Sequence, residues 1–143
     1  MRALLDINVL LALLDSAHQD HDRARQWFTA EVGHGWASCA ITQNGFLRIR
    51  SQPNYPHGVS RPRDALEALA AAVSTVHHEY WDCSISLCTP ELIDPSRLLG
   101  PRQVTDVYLL ALATARDGRF VTLDRRVRLD AVPTATSANL VVM

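Results

Sequence analysis

Apolar positions along the chain fall into two rhythms, short continuous runs and helical spacings. Met1–Leu5 is a brief apolar run closed by an acid, the pattern of a buried parallel strand. Val9–Leu14 stays apolar behind Asn8, which predicts a helix with Asn8 as its cap. Ala24, Trp27, Phe28 and Val32 recur at helical spacing. A second helix is therefore expected from about Gln19 to Val32, ended by Gly33 and Gly35. Trp36–Ala40 reads as a second strand, and Thr42 as the cap of a helix carrying Phe46, Leu47 and Ile49.

Pro53, Asn54, Pro56 and Gly58 make Gln52–Ser60 a loop. Pro62 suits the first position of a helix that continues through Leu66, Leu69 and Val73. Glu79–Asp82 has a faint strand pattern, and Pro90, Pro95, Gly100 and Pro101 break up the stretch between it and Gln103. Gln103–Asp117 is the clearest helix, with Thr105 near its start and Gly118 just past its end. Phe120–Leu123 and Leu140–Val142 read as two more buried strands. Strands alternating with helices predict an α/β sandwich around a mostly parallel sheet. With no internal repeat, linker or low-complexity tract in residues 1–143, one domain is expected.

Composition narrows the class. No apolar run approaches the roughly 20 residues of a membrane helix, and Asp6 interrupts the N-terminal apolar stretch where a signal peptide would continue. A soluble cytoplasmic protein is expected. Cys39, Cys83 and Cys88 are an odd number, better taken as free thiols than as a disulfide framework. Cys83 and Cys88 have no second pair at zinc spacing. All 14 basic residues are arginine. Genomic base composition explains that, and so does a use of guanidinium forks on phosphates. Net charge is −1, which excludes coating of nucleic acid by bulk charge. Any nucleic-acid site must be local.

Three acids sit where an α/β fold places its chemistry. Asp6 ends the first strand, Asp124 comes just after Phe120–Leu123, and Asp106 lies in the first turn of the clearest helix. Ligand sites in parallel sheets form outside the carboxyl ends of the strands. Two carboxylates about 4 Å apart repel by about 4 kcal/mol at an effective dielectric of 20. A divalent cation would relieve that, and oxygen-only ligands suit Mg²⁺ or Mn²⁺. Plainer roles exist: Asp106 on the helix dipole and Asp124 in a turn. Asp6, embedded in apolar sequence, is harder to explain that way.

The segments Leu4–Leu10, Ile41–Arg48, Gln103–Asp106 and Val121–Arg126 together resemble those of PIN-domain nucleases. The likeness runs through nearly the whole chain and is nearest to VapC-type toxins of bacterial toxin–antitoxin pairs. It implies a PIN-like three-layer sandwich and an endoribonuclease using Mg²⁺ or Mn²⁺. Asp6, Asp106 and Asp124 would form the acidic centre, with Asp6 and Asp106 the main metal ligands and Asn8 a polar support. The substrate would be RNA, the chain would dimerise, and a small antitoxin would cover the site. The family commonly has a glutamate where this chain has Gln43, with Asn44 next to it. Gln43 would then face Asp6 and Asp106 with a neutral carbonyl oxygen in place of a charge.

His18 and His21 lie a turn apart without a third ligand near them, and His77 and His78 would point apart on a strand. Trp27, Phe28, Trp36 and Phe46 fit core positions. Arg48, Arg50, Arg61, Arg63, Arg125, Arg126 and Arg128 would either line an RNA groove or simply be solvated. Thr105 and Thr122 flank the acids closely, as water-orienting groups or as ordinary capping and packing residues. A haloacid-dehalogenase-type phosphotransferase would need an acid where Asn8 stands, and a receiver domain would need paired N-terminal acids. A PIN-like module that binds RNA or a partner without cutting is the remaining alternative.

Overall fold

A computed structural model describes residues 1–58 and 60–143; Val59, within the expected 52–60 loop, lies outside the described residues. The strands are β1 (Ala3–Leu5), β2 (Trp36–Cys39), β3 (His78–Trp81), β4 (Arg119–Thr122) and β5 (Leu140–Val142). They form one sheet in the order β3-β2-β1-β4-β5, and every described pairing is parallel. The expected "mostly parallel" sheet is thus parallel throughout its described ladder. β1 pairs Ala3 with Trp36 on one side and Ala3 with Arg119 on the other. The chain steps from β1 outward to β3, then returns to the opposite side of β1 to lay down β4. That reversal makes the β1/β4 boundary a topological switch point.

Side-chain alternation divides the core in two. Leu4, Ala37, Cys39 and Phe120 face α5 (Val104–Ala115). Ala3, Leu5, Trp36 and Val121 face the other layer. That layer is built of α1 (Ile7–Leu14), α2 (His21–Glu31), α3 (Ala40–Arg50) and α4 (Pro62–Val73). Helices thus cover both faces, a three-layer α/β sandwich.

Helix starts differ from the sequence reading. Asn8 is not the cap of α1; it is the second helical residue. Asp6 caps instead, because its backbone is extended and its own carboxylate accepts the Ile7 N–H. Thr42 likewise lies inside α3, whose cap is Cys39; the Thr42 hydroxyl reaches back to the Cys39 N–H at 2.9 Å. α2 is shorter than expected, since Val32–His34 tightens into a 3₁₀ turn. α5 likewise ends at Ala115.

Asp117 takes the left-handed conformation after α5, at φ 50°. Gly118 is needed for a different reason. A Cβ there would come within 2.5 Å of the Trp81 ring and 2.9 Å of the Arg2 carbonyl. Replacing Gly118 with alanine is expected to destabilise the fold by about 1–3 kcal/mol, the typical cost of overpacking. Gly33 has nothing within 4 Å of such a Cβ, so Gly33→Ala should stay within about 0.5 kcal/mol of the parent. Urea unfolding of both variants checks this; equal stabilities would show that the close approach at Gly118 carries no weight.

Candidate metal centre

Asp6 leaves β1 at the switch point and is only 4% exposed. One carboxylate oxygen accepts the Ile7 N–H at 2.6 Å. The other accepts the Thr122 hydroxyl at 2.6 Å and the Asn8 amide at 2.7 Å. Thr122 ends β4, so this clasp ties the two strands where they diverge. The Thr122 hydroxyl also accepts from Asn8 Nδ2 at 3.1 Å and from the Asp124 N–H at 3.0 Å. Its one proton and both lone pairs are therefore used. Asn8 Oδ1 closes the ring by accepting the Leu123 N–H at 3.0 Å. Burial pushes the Asp6 carboxyl above its ordinary value; the Thr122, Ile7 and Asn8 bonds pull against that, and Asp124 adds to the rise.

Asp106 projects from the first turn of α5 and has no hydrogen-bond partner among the described residues. Its carboxyl is pushed up to about 6, first by burial and then by the negative charges of Asp6 and Asp124. Asp124 is held the other way, below its ordinary value, chiefly by Arg126. The three carboxylates thus feel one another's fields. Among the described residues, though, no three His, Cys, Asp or Glu side chains are already gathered into a metal-holding group. Both observations stand together, because charge repulsion reaches further than a coordination sphere does.

Gln43 has a hydrogen bond of its own. Its Nε2 donates to the Ser38 hydroxyl at 2.9 Å, and Ser38 Oγ lies 2.8 Å from His78 Nε2. The amide nitrogen expected to stand near Asp6 and Asp106 is thus engaged by the buried Ser38 hydroxyl. Asn44, Arg48 and Thr105 line an open cleft of about 410 Å³ with Ile7, the residue after Asp6. The other arginines divide. Arg61 and Arg63 pair with Asp64 and Glu67 close by in sequence, as solvated residues do. Arg50 sits over the Tyr55 ring, and Arg128 pairs with Asp130. His18 and His21 are used locally, His18 accepting the Asp20 N–H and His21 meeting the Ala12 carbonyl. All three cysteines are free thiols.

Two features are not legible in the sequence. Thr122 reads there as a neighbour of the acids, not as the partner that holds Asp6; its place two residues before Asp124 on an apolar strand is the available signal. Arg126 is one arginine among seven candidates, with nothing in the sequence to mark its fork on Asp124.

The chain is similar to known proteins along its length. A family model described as the PIN domain matches residues 3–133. Ribonuclease VapC44 of Mycobacterium tuberculosis is 57% identical over the full length of both chains. Ribonuclease VapC39 of the same organism is 39% identical, over 87% of this chain and 89% of that one. In fold, the chain is similar to a crystal structure of VapBC2 from Rickettsia felis bound to a DNA fragment from its promoter. That match has a TM-score of 0.66 and 16% identity, and it covers 100% of this chain and 99% of the other. With acids at the β1/β4 switch point and likeness along its whole length, the chain belongs to the PIN-domain family, on its VapC branch.

Proposed function

We propose that this chain is the toxin of a toxin–antitoxin pair, an endoribonuclease that hydrolyses RNA phosphodiester bonds with the help of Mg²⁺ or Mn²⁺. One observation supports it most: Asp6 just past β1, Asp124 just past β4 and Asp106 in the first turn of α5 lie near enough for Asp106 to feel the charges of the other two. A full-length relative at 57% identity that is named a ribonuclease supports the same activity. A single PIN-like domain over residues 1–143, acting in the cytoplasm as a homodimer and silenced by a small antitoxin, completes the reading. No helix among the described residues is long and apolar enough to cross a membrane.

The residues fit a hard cation. Their donors are all oxygen, and Asp6 and Asp106 are the two whose oxygens are not engaged by a counter-charge. When bound, the cation supplies positive charge for the phosphodiester and lowers the pKa of water. The rest falls to the chain. Thr122, Asn8 and the Ile7 amide hold Asp6 in one orientation, and α5 presents Asp106 from its first turn. Arg48 and Thr105 flank the cleft along which a strand would lie. A second reading, a module that binds RNA without cutting it, draws on Gln43, whose neutral amide is bound to Ser38.

Cleavage of RNA by the purified chain is expected to require Mg²⁺ or Mn²⁺. Asp6→Asn and Asp106→Asn should each lower kcat by about a hundredfold or more, since loss of a group that merely supports a metal ligand already costs about 10–100-fold. Parental rates in either variant would contradict the centre. RNA binding without cleavage in any metal would favour the non-cutting module.

Stability should depend on pH through the buried acids, and Asp106→Asn isolates the share of Asp106. Its folded pKa lies above the ordinary 3.8, so its ionised form opposes folding. That penalty is fully present above pH about 6, and it is relieved as pH falls from there toward 3.8. Asp15, held low by Tyr55 and His57 hydrogen bonds, begins to lose its contribution only below that window. In chelator, the parent should therefore gain melting temperature relative to Asp106→Asn from pH 7 to pH 5, by the equivalent of about 1 kcal/mol after allowing for solvent screening. The comparison cancels the opposing effect of His78, whose imidazole is held below its ordinary value by burial. A change of equal size in both proteins would assign it to other groups.

A further inference from the structure

Arg126 is 72% exposed, and its guanidinium still forks onto one carboxylate, that of Asp124. Nε lies 2.9 Å from Oδ1 and 3.2 Å from Oδ2, and Nη2 lies 2.7 Å from Oδ2. The Arg126 backbone N–H adds a bond to Oδ1 at 2.8 Å. Three N–H donors make these contacts, with the Nε–H shared between both oxygens, so they take up most of the carboxylate's about four lone-pair positions. A cation therefore competes with the guanidinium for the Asp124 oxygens until the fork opens. Backbone geometry does not need to change for that, because the two backbone bonds, Arg126 N–H to Asp124 and Asp124 N–H to Thr122, survive rotation of the arginine side chain. Beside the fork runs an open groove of about 810 Å³ lined by Arg125, Arg126 and Arg128, with Asp130 bound to Arg128.

We infer that Arg126 is a counter-ion handed from protein to substrate. It neutralises Asp124 while no cation is present; when a cation engages Asp124, the guanidinium is released and binds an RNA phosphate in the adjacent groove. The inference rests on the metal-centre reading above. The fork that fits a carboxylate also fits a phosphate, which a lysine ammonium does only as a point charge. Release places one positive charge next to the groove at the moment the acidic centre ceases to repel RNA. It also gives a chain of net charge −1 a local phosphate contact.

The test is Mn²⁺ binding by calorimetry, together with steady-state RNA cleavage at saturating Mn²⁺, for the parent, Arg126→Gln and Arg126→Lys. Arg126→Gln should bind Mn²⁺ about two- to fivefold more tightly, the worth of an exposed ion pair no longer competing. Its KM for RNA should rise about fivefold or more with a smaller change in kcat. Arg126→Lys should recover much of the KM while keeping the tighter Mn²⁺ binding. Unchanged or weaker Mn²⁺ binding in Arg126→Gln would overturn the handover while leaving the metal centre standing. Tighter Mn²⁺ binding with an unchanged KM would overturn its second half, the phosphate contact. If the parent itself binds no Mn²⁺, the metal centre falls and the handover falls with it.

Discussion

A carboxylate buried to the extent of Asp6 stays ionised in a core only if donors replace the water it has lost. The three donors come from three places: the first peptide of α1, a side chain one residue further into that helix, and the last hydroxyl of β4. The first two need α1 to begin at once, and the third needs β1 and β4 side by side. Asp6 is thus both a product of the topology and a fastener of it. Thr122, which also takes the Asp124 N–H, carries the same constraint on to the third acid. Asp106 comes from α5, which packs on the opposite face of the sheet from α1.

The cost of this arrangement is electrostatic. Asp6 is held by hydrogen bonds, Asp124 by Arg126, and Asp106 by neither, so the residual repulsion falls on Asp106. The three acids are therefore in three different states of compensation. The state of each predicts what a cation would meet: an oriented ligand at Asp6, a repelled one at Asp106 with no partner among the described residues, and one engaged by Arg126 at Asp124.

Much of the fold can be read from the chain because its signals are local. The run Leu4–Leu5–Asp6, the apolar interior of α5 and the sequence Phe120–Leu123 each announce an element and place an acid at its end or start. Boundaries are less legible where a side chain bonds its own backbone. Asp6 displaces Asn8 as the cap of α1, and Thr42 works from inside α3 because Cys39 already has the extended backbone of a cap. β3 is faint because His78–Trp81 is an edge strand with only Trp81 buried, so it lacks the apolar run that marks the inner strands. The position of Gln43 depends on something no local pattern contains. Its amide is captured by Ser38, five residues away, which is itself bonded to His78 forty residues further on.

That the acids at the β1/β4 switch point are a cation site is the claim on which the functional account turns. A crystal structure grown with Mn²⁺, with the ion located by its anomalous scattering, tests it most directly. The account predicts a peak about 2.0–2.3 Å from carboxylate oxygens of both Asp6 and Asp106, with Thr122 and Asn8 still bonded to Asp6. A map with no peak between those two residues, at Mn²⁺ concentrations that support RNA cleavage, would contradict it.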